Sequence, residues 1–429
     1  MTRRTRFILA TILLDGAALA ISAILASFYV FDVPFPWLAP IPNPRPMVAL
    51  LIAGVVIGGW ASQKIIEPAI PRPSYPRAIS TFFLALGGVA VGAAFLRTYY
   101  SRSYTLLALS GWLILALTHR AVRRRRPWVE HMVVITEEKE LAADLTESNH
   151  ARVLDILDPR GLPPNGNAFP PASTTIVVDY HAVLSDVMAR FVSSCSMAGY
   201  DIRPLANVYE EHTGRVALVH LAEGWEISVP LERKAPYAPL KRVLEFTLVL
   251  LTAPLWILLG ALTWVGVKLD SPGPALFQQE RVGLLGRTFT MYKFRTMVAG
   301  ADDDGPQFTS LADPRVTRLG RALRSLRLDE IPQLVNVLKG ELALVGPRAE
   351  QLPFAEQFEL MIPFYRHRHL IRPGITGWAQ VHWGYADDLE GTIKKLTYDL
   401  YYVRHMSPWL DVETISKTFS TVARRRGAR

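Results

Sequence analysis

Four long apolar runs, Phe7 to Phe31, Met47 to Gln63, Ile79 to Leu96 and Tyr104 to Leu117, fill the first 120 residues and restrict what this chain can fold into. A run of about 20 apolar residues matches the thickness of a bilayer core, so each is read as a spanning helix, the last extending toward Val122. The first run is too long for a cleaved leader, and three more follow it. Arg3, Arg4, Arg6, Lys64, Arg72, Arg77, Arg120 and Arg123 to Arg126 fall on one side of these runs; Arg45, Arg97 and Arg102 fall on the other. That bias predicts a cytoplasmic N-terminus and a cytoplasmic chain from residue 127 onward. Asp15, inside the first run, is read as a neutral or hydrated acid near the interface in preference to a proton or substrate contact.

Half the residues are hydrophobic and a fifth are charged, a mixture that fits apolar blocks joined to soluble ones. The net charge of +9 sits beside the apolar blocks, where anionic lipid is a better partner than nucleic acid. Cys195 is the one cysteine, which excludes an intrachain disulfide and a C-x-x-C metal site.

Residues 127–230 alternate between strand and helix patterns. Strands are expected at His131 to Thr136, Ala151 to Ile156, Thr174 to Asp179 and Tyr200 to Ala206, with helices at 137–147 and Ala182 to Met197. The result is a small parallel α/β sheet of degenerate Rossmann-like type. No G-x-G-x-x-G follows the first strand, and Thr136-Glu137-Glu138 would oppose a pyrophosphate. Packing, oligomerisation or regulation is therefore expected of it, and a homodimer through this domain would give it a purpose. The prolines Pro159, Pro163, Pro164, Pro170 and Pro171 mark a loop over 159–172.

A fifth uncharged run, Phe246 to Val267, is long enough to cross once. Both flanks are basic: Arg233, Lys234, Lys241 and Arg242 precede it, and Lys268, Arg281 and Arg287 follow. Pro254 removes a helical hydrogen bond near its middle, so the run is expected to break, dip into one leaflet and return, a re-entrant helix over 243–267. A third domain, 231–429, then carries the chemistry. Gln279-Glu280-Arg281 and Tyr292-Lys293-Phe294-Arg295 place cations on apparent strand ends, and Asp313-Pro314-Arg315 follows in a turn. Arginine can grip phosphate oxygens bidentately and lysine acts as a point charge. Leu328-Asp329-Glu330-Ile331-Pro332-Gln333 reads as two acids at the start of an amphipathic helix, whose N-terminus would keep Asp329 ionised. On spacing alone, ordinary helix capping explains such acids better than catalysis does. Gly346-Pro347-Arg348 and Arg372-Pro373-Gly374 are rigid bends. At the C-terminus Trp409, Val412, Ile415, Phe419 and Val422 recur at helical spacing with Lys417 and Arg424 to Arg426, which suits an interfacial helix or one packed on the core equally.

In their order, these segments resemble the bacterial sugar transferases, the polyprenyl-phosphate hexose-1-phosphate transferases of the monotopic phosphoglycosyl transferase superfamily. The carriers are Lys241-Arg242, Asp270-Ser-Pro-Gly-Pro274, Phe277 to Gly283, Tyr292 to Arg295, Asp313 to Arg315, Asp329-Glu330 with Pro332-Gln333, Val345 to Arg348, Pro373 to Trp378 and Tyr398 to Tyr402. Gly214-Arg215-Val216 and Trp225 resemble the connecting segment of the long members, which have four transmembrane helices. The resemblance implies transfer of a hexose 1-phosphate, glucose or galactose, from a UDP-sugar to undecaprenyl phosphate at the inner membrane, beginning exopolysaccharide, capsule or O-antigen units. It implies Asp329 as nucleophile, Glu330 as Mg²⁺ ligand, and UMP as first product. Arg281, Lys293, Arg295 and Arg348 would neutralise phosphate, with Asp313, Arg315, Arg372 and Asp399 as support. Glu245 in place of Asp, Ala253 in place of Ser and Ala349 in place of a second proline depart from the family pattern; the last is expected to loosen a phosphate loop. An inactive scaffold of a polysaccharide assembly complex is the competing reading.

Overall fold

The computed structural model describes residues 3–41, 44–65, 74–97, 101–125, 129–163, 169–171, 173–221, 237–298, 300–301, 313–383 and 388–423. Arg72, Arg126, Pro164, Trp225, Arg233, Lys234 and Arg424 to Arg426 lie outside them. The chain divides into two compact units, Met1–Thr213 and Gly214–Arg429.

The first unit opens with α1 (Arg3–Phe31), α2 (Pro44–Ile65), α3 (Tyr75–Leu96) and α4 (Arg102–Arg124). Each holds a stretch long and apolar enough to cross a membrane. The bundle buries small residues beside Trp112, Tyr104 and Leu109 and turns other large apolar side chains outward. Ala18, Ala85, Ala108 and Ala116 are buried, while Leu13, Leu25, Phe83 and Phe95 face outward. Small residues let helix backbones approach and hydroxyls bond across them, as in lipid: Ser22 Oγ donates to Ala108 O (2.7 Å), and Ser62 and Thr81 hydroxyls meet at 3.0 Å. Asp15 is not a solvated acid. Arg120 holds both its carboxylate oxygens at 2.7 Å, His119 Nε2 lies at 2.8 Å, and the Trp112 indole donates to its carbonyl. The spacing of α1 alone could not disclose partners a hundred residues away.

A four-stranded sheet follows: β1 (Glu130–Ile135), β2 (Ala151–Leu157), β3 (Thr175–Val178) and β4 (Asp201–Pro204), in the order β2-β1-β3-β4, all pairs parallel. Helices α5 (Lys139–Glu147), α6 (Asp186–Met197) and α7 (Leu205–Thr213) complete it. The α6 helix begins later than the expected Ala182 because Ser185 caps it, its hydroxyl accepting from Met188 N. The expected strand from Tyr200 to Ala206 stops at Pro204, where α7 begins.

The second unit starts from residues 214–221, where the Trp378 indole donates to Gly214 O and Val216 N to Thr397 O. Two helices come next, α8 (Tyr237–Leu251) and α9 (Ala253–Asp270), parted at Thr252, whose ψ of 2° interrupts the helix just ahead of Pro254. The Trp256 indole closes the elbow on Val249 O (2.9 Å). Beyond it lie the antiparallel hairpin β5 (Leu276–Val282) and β6 (Thr288–Phe294), α10 (Arg318–Leu326) and α11 (Gln333–Lys339). Next are β7 (Ala343–Val345), α12 (Leu352–Met361), β8 (Gly374–Thr376, parallel to β7), α13 (Trp378–His382), α14 (Leu389–His405) and α15 (Pro408–Ala423).

Both ends of the α8–α9 pair are tied to this same unit. At the start Lys241 Nζ meets Asp411 (2.6 Å) and Glu245 accepts from Leu344 N (2.9 Å), so the longer acid still reaches the backbone of β7. Arg242 donates to Leu338 O (2.9 Å) and Val337 O at the end of α11. At the finish Arg295 donates to Ser271 O (2.7 Å) and Pro272 O (2.8 Å). Between the anchors Leu251, Leu255, Leu258 and Leu262 are exposed. The α15 helix buries Leu410 and Thr414 and leaves Val412 and Phe419 outward, so its inner face is packed on the core.

Candidate active site

The acid pair is delivered by a tight turn. Arg327 ends α10 in the left-handed region (φ 57°), and Leu328–Glu330 forms one 3₁₀ turn before α11 starts at Gln333. Leu328 and Ile331 flank the acids and pack into the cluster of Val267, Phe294 and Leu323, which seats the turn against α9. Asp329 and Glu330 are both buried. Glu330 Oε1 stands 3.4 Å from the guanidinium of Arg348 and 3.4 Å from that of Arg327. Among the described residues Asp329 Oδ1 is buried with no hydrogen-bond partner.

Lys293 comes from β6, and Asn336 of α11 fixes that strand. Fully buried, Asn336 accepts from Tyr292 N (3.2 Å) and donates to Thr290 O (2.7 Å) and Glu341 (2.6 Å). Sequence reasoning missed Asn336; its signal is a polar residue on the apolar face of a helix. Burial, followed by the neighbouring Arg348 cation, lowers the Lys293 pKa to about 7, against the pull of Glu330. The two acids are driven apart. Burial and the charge of Glu330 raise Asp329, whereas for Glu330 the cost of burial is outweighed by Arg348, Lys293 and Arg327, which hold it below its ordinary value. Asp329 lies in a 3₁₀ turn ahead of α11 and not in its first turn, and Lys293, Arg327 and Arg324 are the groups that favour its charge.

Asp329, Glu330, Lys293 and Arg348 thus converge. The remaining expected residues sit around them in other work. Arg281 donates to Ala349 O (3.0 Å) and to Gln279, close enough to Lys293 to disfavour its charge. Arg295 closes the end of α9, as described. Asp313 and Arg315 pair with one another (2.7 Å), and that bond holds Asp313 below the usual carboxylate range. Arg372 donates to Gly340 O (3.1 Å), and Asp399 pairs with the buried Arg368 (2.7 Å). Pro254 stands at the helix break. Mg²⁺ takes hard oxygen donors and one or two carboxylates; the unpartnered Asp329 Oδ1 beside Glu330 fits that demand.

Two acids of opposed proton affinity thus lie beside a lysine and two arginines, on a turn packed against the second helix of an apolar pair. Residues 236–425 match the model of the bacterial sugar transferases, and the chain belongs to that family. It is 42% identical over 263 residues to the UDP-N-acetylgalactosamine-undecaprenyl-phosphate N-acetylgalactosaminephosphotransferase of Aeromonas hydrophila, covering 59% of this chain and 61% of that protein. It is 40% identical over 219 residues to the UDP-glucose:undecaprenyl-phosphate glucose-1-phosphate transferase of Xanthomonas campestris pv. campestris, 50% of this chain and 44% of that one. With the uncharacterized sugar transferase EpsL of Bacillus subtilis it shares 39% over 189 residues, 43% of this chain and 87% of EpsL. The matches thus span less than two thirds of the first two relatives.

Proposed function

We propose that this protein transfers a sugar 1-phosphate from a UDP-sugar to undecaprenyl phosphate, in two displacements through Asp329. In the first, an oxygen of the Asp329 carboxylate bonds to the sugar-linked phosphorus, the phosphoanhydride bond breaks, and UMP departs with the electron pair. In the second, a phosphate oxygen of the lipid attacks the same phosphorus, the aspartyl ester breaks, and the carboxylate is restored. Lys293 and Arg348 face the diphosphate and stabilise charge that builds on its oxygens. Glu330, kept anionic by Arg348, would hold Mg²⁺ with help from Asp329, and the ion would neutralise phosphate charge.

The observation that carries this reading is Asp329 Oδ1, buried, without a hydrogen-bond partner among the described residues, and flanked by Lys293 and Arg327. A capping acid would spend that oxygen on a backbone amide. Anchorage of α8 and α9 in one globular unit supports a re-entrant hairpin, and the basic flanks support a cytoplasmic site at the bacterial inner membrane. The relatives' names divide between glucose and N-acetylgalactosamine, which supports a hexose or its N-acetylated form as the sugar. Product of this kind would begin a repeat unit of an exopolysaccharide, capsule or O-antigen.

The test is a panel of UDP-sugars with undecaprenyl phosphate and Mg²⁺, scored by UMP. Release with at least one sugar, abolished in Asp329→Asn, is expected; undiminished release from that variant contradicts the nucleophile, and no release with any sugar contradicts the activity.

A further inference from the structure

Arg348 can serve Glu330 only if the bend that presents it is fixed, and three consecutive carbonyls of that bend are held. Arg348 O accepts from Arg368 Nη2 (3.0 Å), Ala349 O from Arg281 Nη1 (3.0 Å), and Glu350 O from Val282 N (2.9 Å). On the other side Gly374 N donates to Pro347 O, and a Cβ at Gly374 would lie 2.1 Å from Gly346 N, so β8 is locked against the bend. Ala349, where a proline was expected, is accordingly buried and pinned.

The Arg368 guanidinium is buried, and both of its terminal nitrogens are engaged. Besides Arg348 O it reaches Asp399 Oδ2 (2.7 Å), Tyr365 Oη (2.6 Å) and Glu350 Oε1 (3.7 Å), and Lys395 closes the network on Glu350 at 2.6 Å. Burial alone would raise Glu350, but Lys395 and Arg368 hold it well below the usual carboxylate range. With its charge balanced by carboxylates from two other segments, this arginine is placed to hold the backbone carbonyl of Arg348. Its fork fixes two directions at once, which a lysine cannot do.

We propose that Arg368, oriented by Asp399, is a positioning residue for the transfer reaction: with Arg281 it clamps the backbone of residues 348 and 349 and so sets the reach of Arg348 toward Glu330. The proposal rests on the transferase reading above, and it reassigns Arg281 from phosphate contact to the clamp.

The experiment is a double-variant cycle on the full-length protein, read as kcat/KM for UMP release and, independently of turnover, as amide hydrogen exchange over residues 346–351. Arg368→Lys is expected to lose about 10- to 100-fold in kcat/KM, the scale of a misplacement of about 1 Å. In an Arg348→Ala background the same change should cost almost nothing further. Losses that multiply would overturn the proposal, since they would place Arg368 in some other role. Exchange over 346–351 should rise in Arg368→Lys while β6 is unchanged; unaltered exchange over 346–351 also overturns it. If Arg368→Lys does not fold, Asp399→Asn, which keeps the acceptor and removes the charge, carries the same cycle. Wild-type protein that releases no UMP would refute the transferase reading, and the exchange result would still decide the clamp.

Discussion

Lys293 makes the site sensitive to pH in a stated direction. Its ammonium is cationic below its pKa, burial and Arg348 bring that pKa to about 7, and in the proposed reaction the cation would meet the diphosphate. For the free enzyme, kcat/KM should therefore fall as pH rises through about 7. Bound diphosphate favours the charged lysine, so the limb in kcat should lie at higher pH. Lys293→Arg, whose charge does not titrate in this range, should flatten the limb; a limb unchanged in that variant would assign it to another group. Arg348→Ala should lower kcat by about 100- to 1000-fold, the scale of losing one preorganised donor to a charged transition state, measured by the same UMP assay. Four converging residues were legible through the family resemblance, since charge near turns is by itself better explained by surface groups and helix capping. Asn336 and Arg368 were not: the first hides within an apolar helix and the second within a run of basic residues, and only tertiary contacts distinguish them from ordinary surface groups.

At the scale of elements, the α8–α9 pair carries the most consequence. The break was readable from Pro254, and its position one residue ahead of Ala253 follows from the fixed φ and missing amide of proline. What periodicity could not give is the anchorage. Lys241, Arg242 and Glu245 at one end and Arg295 at the other bind partners distant in sequence, and these contacts, more than the apolar length, argue that the chain turns back. In a Cys195→Ser background, Leu240→Cys and Leu269→Cys, both at exposed positions, should react with an impermeant thiol reagent from the same side of the membrane; reaction from opposite sides contradicts the hairpin. Asn336→Ala should destabilise the second unit by about 3 kcal/mol, since buried backbone groups at Tyr292 and Thr290 would lose their partner, as read by the denaturation midpoint in detergent.

Over the whole molecule, the sequence announced the kinds of structure more clearly than their partners. Apolar length disclosed four bundle helices and alternation disclosed a parallel sheet, because both are local patterns. The Asp15–Arg120 pair was invisible to either. Asp15→Ala strands a buried guanidinium and should cost about 3–5 kcal/mol, more than Asp15→Ala with Arg120→Ala together; thermal unfolding of the single and double variants in detergent checks the order. All the proposed chemistry lies after residue 270 and turns on a phosphorus bond to one carboxylate. The most direct measurement mixes the protein with UDP-sugar and Mg²⁺ in the absence of lipid phosphate, quenches in acid and locates the adduct by mass spectrometry of peptides. A sugar phosphate on Asp329, lost in Asp329→Asn and discharged by added undecaprenyl phosphate, is the expected result; an adduct on any other residue, or UMP released with no adduct, contradicts it.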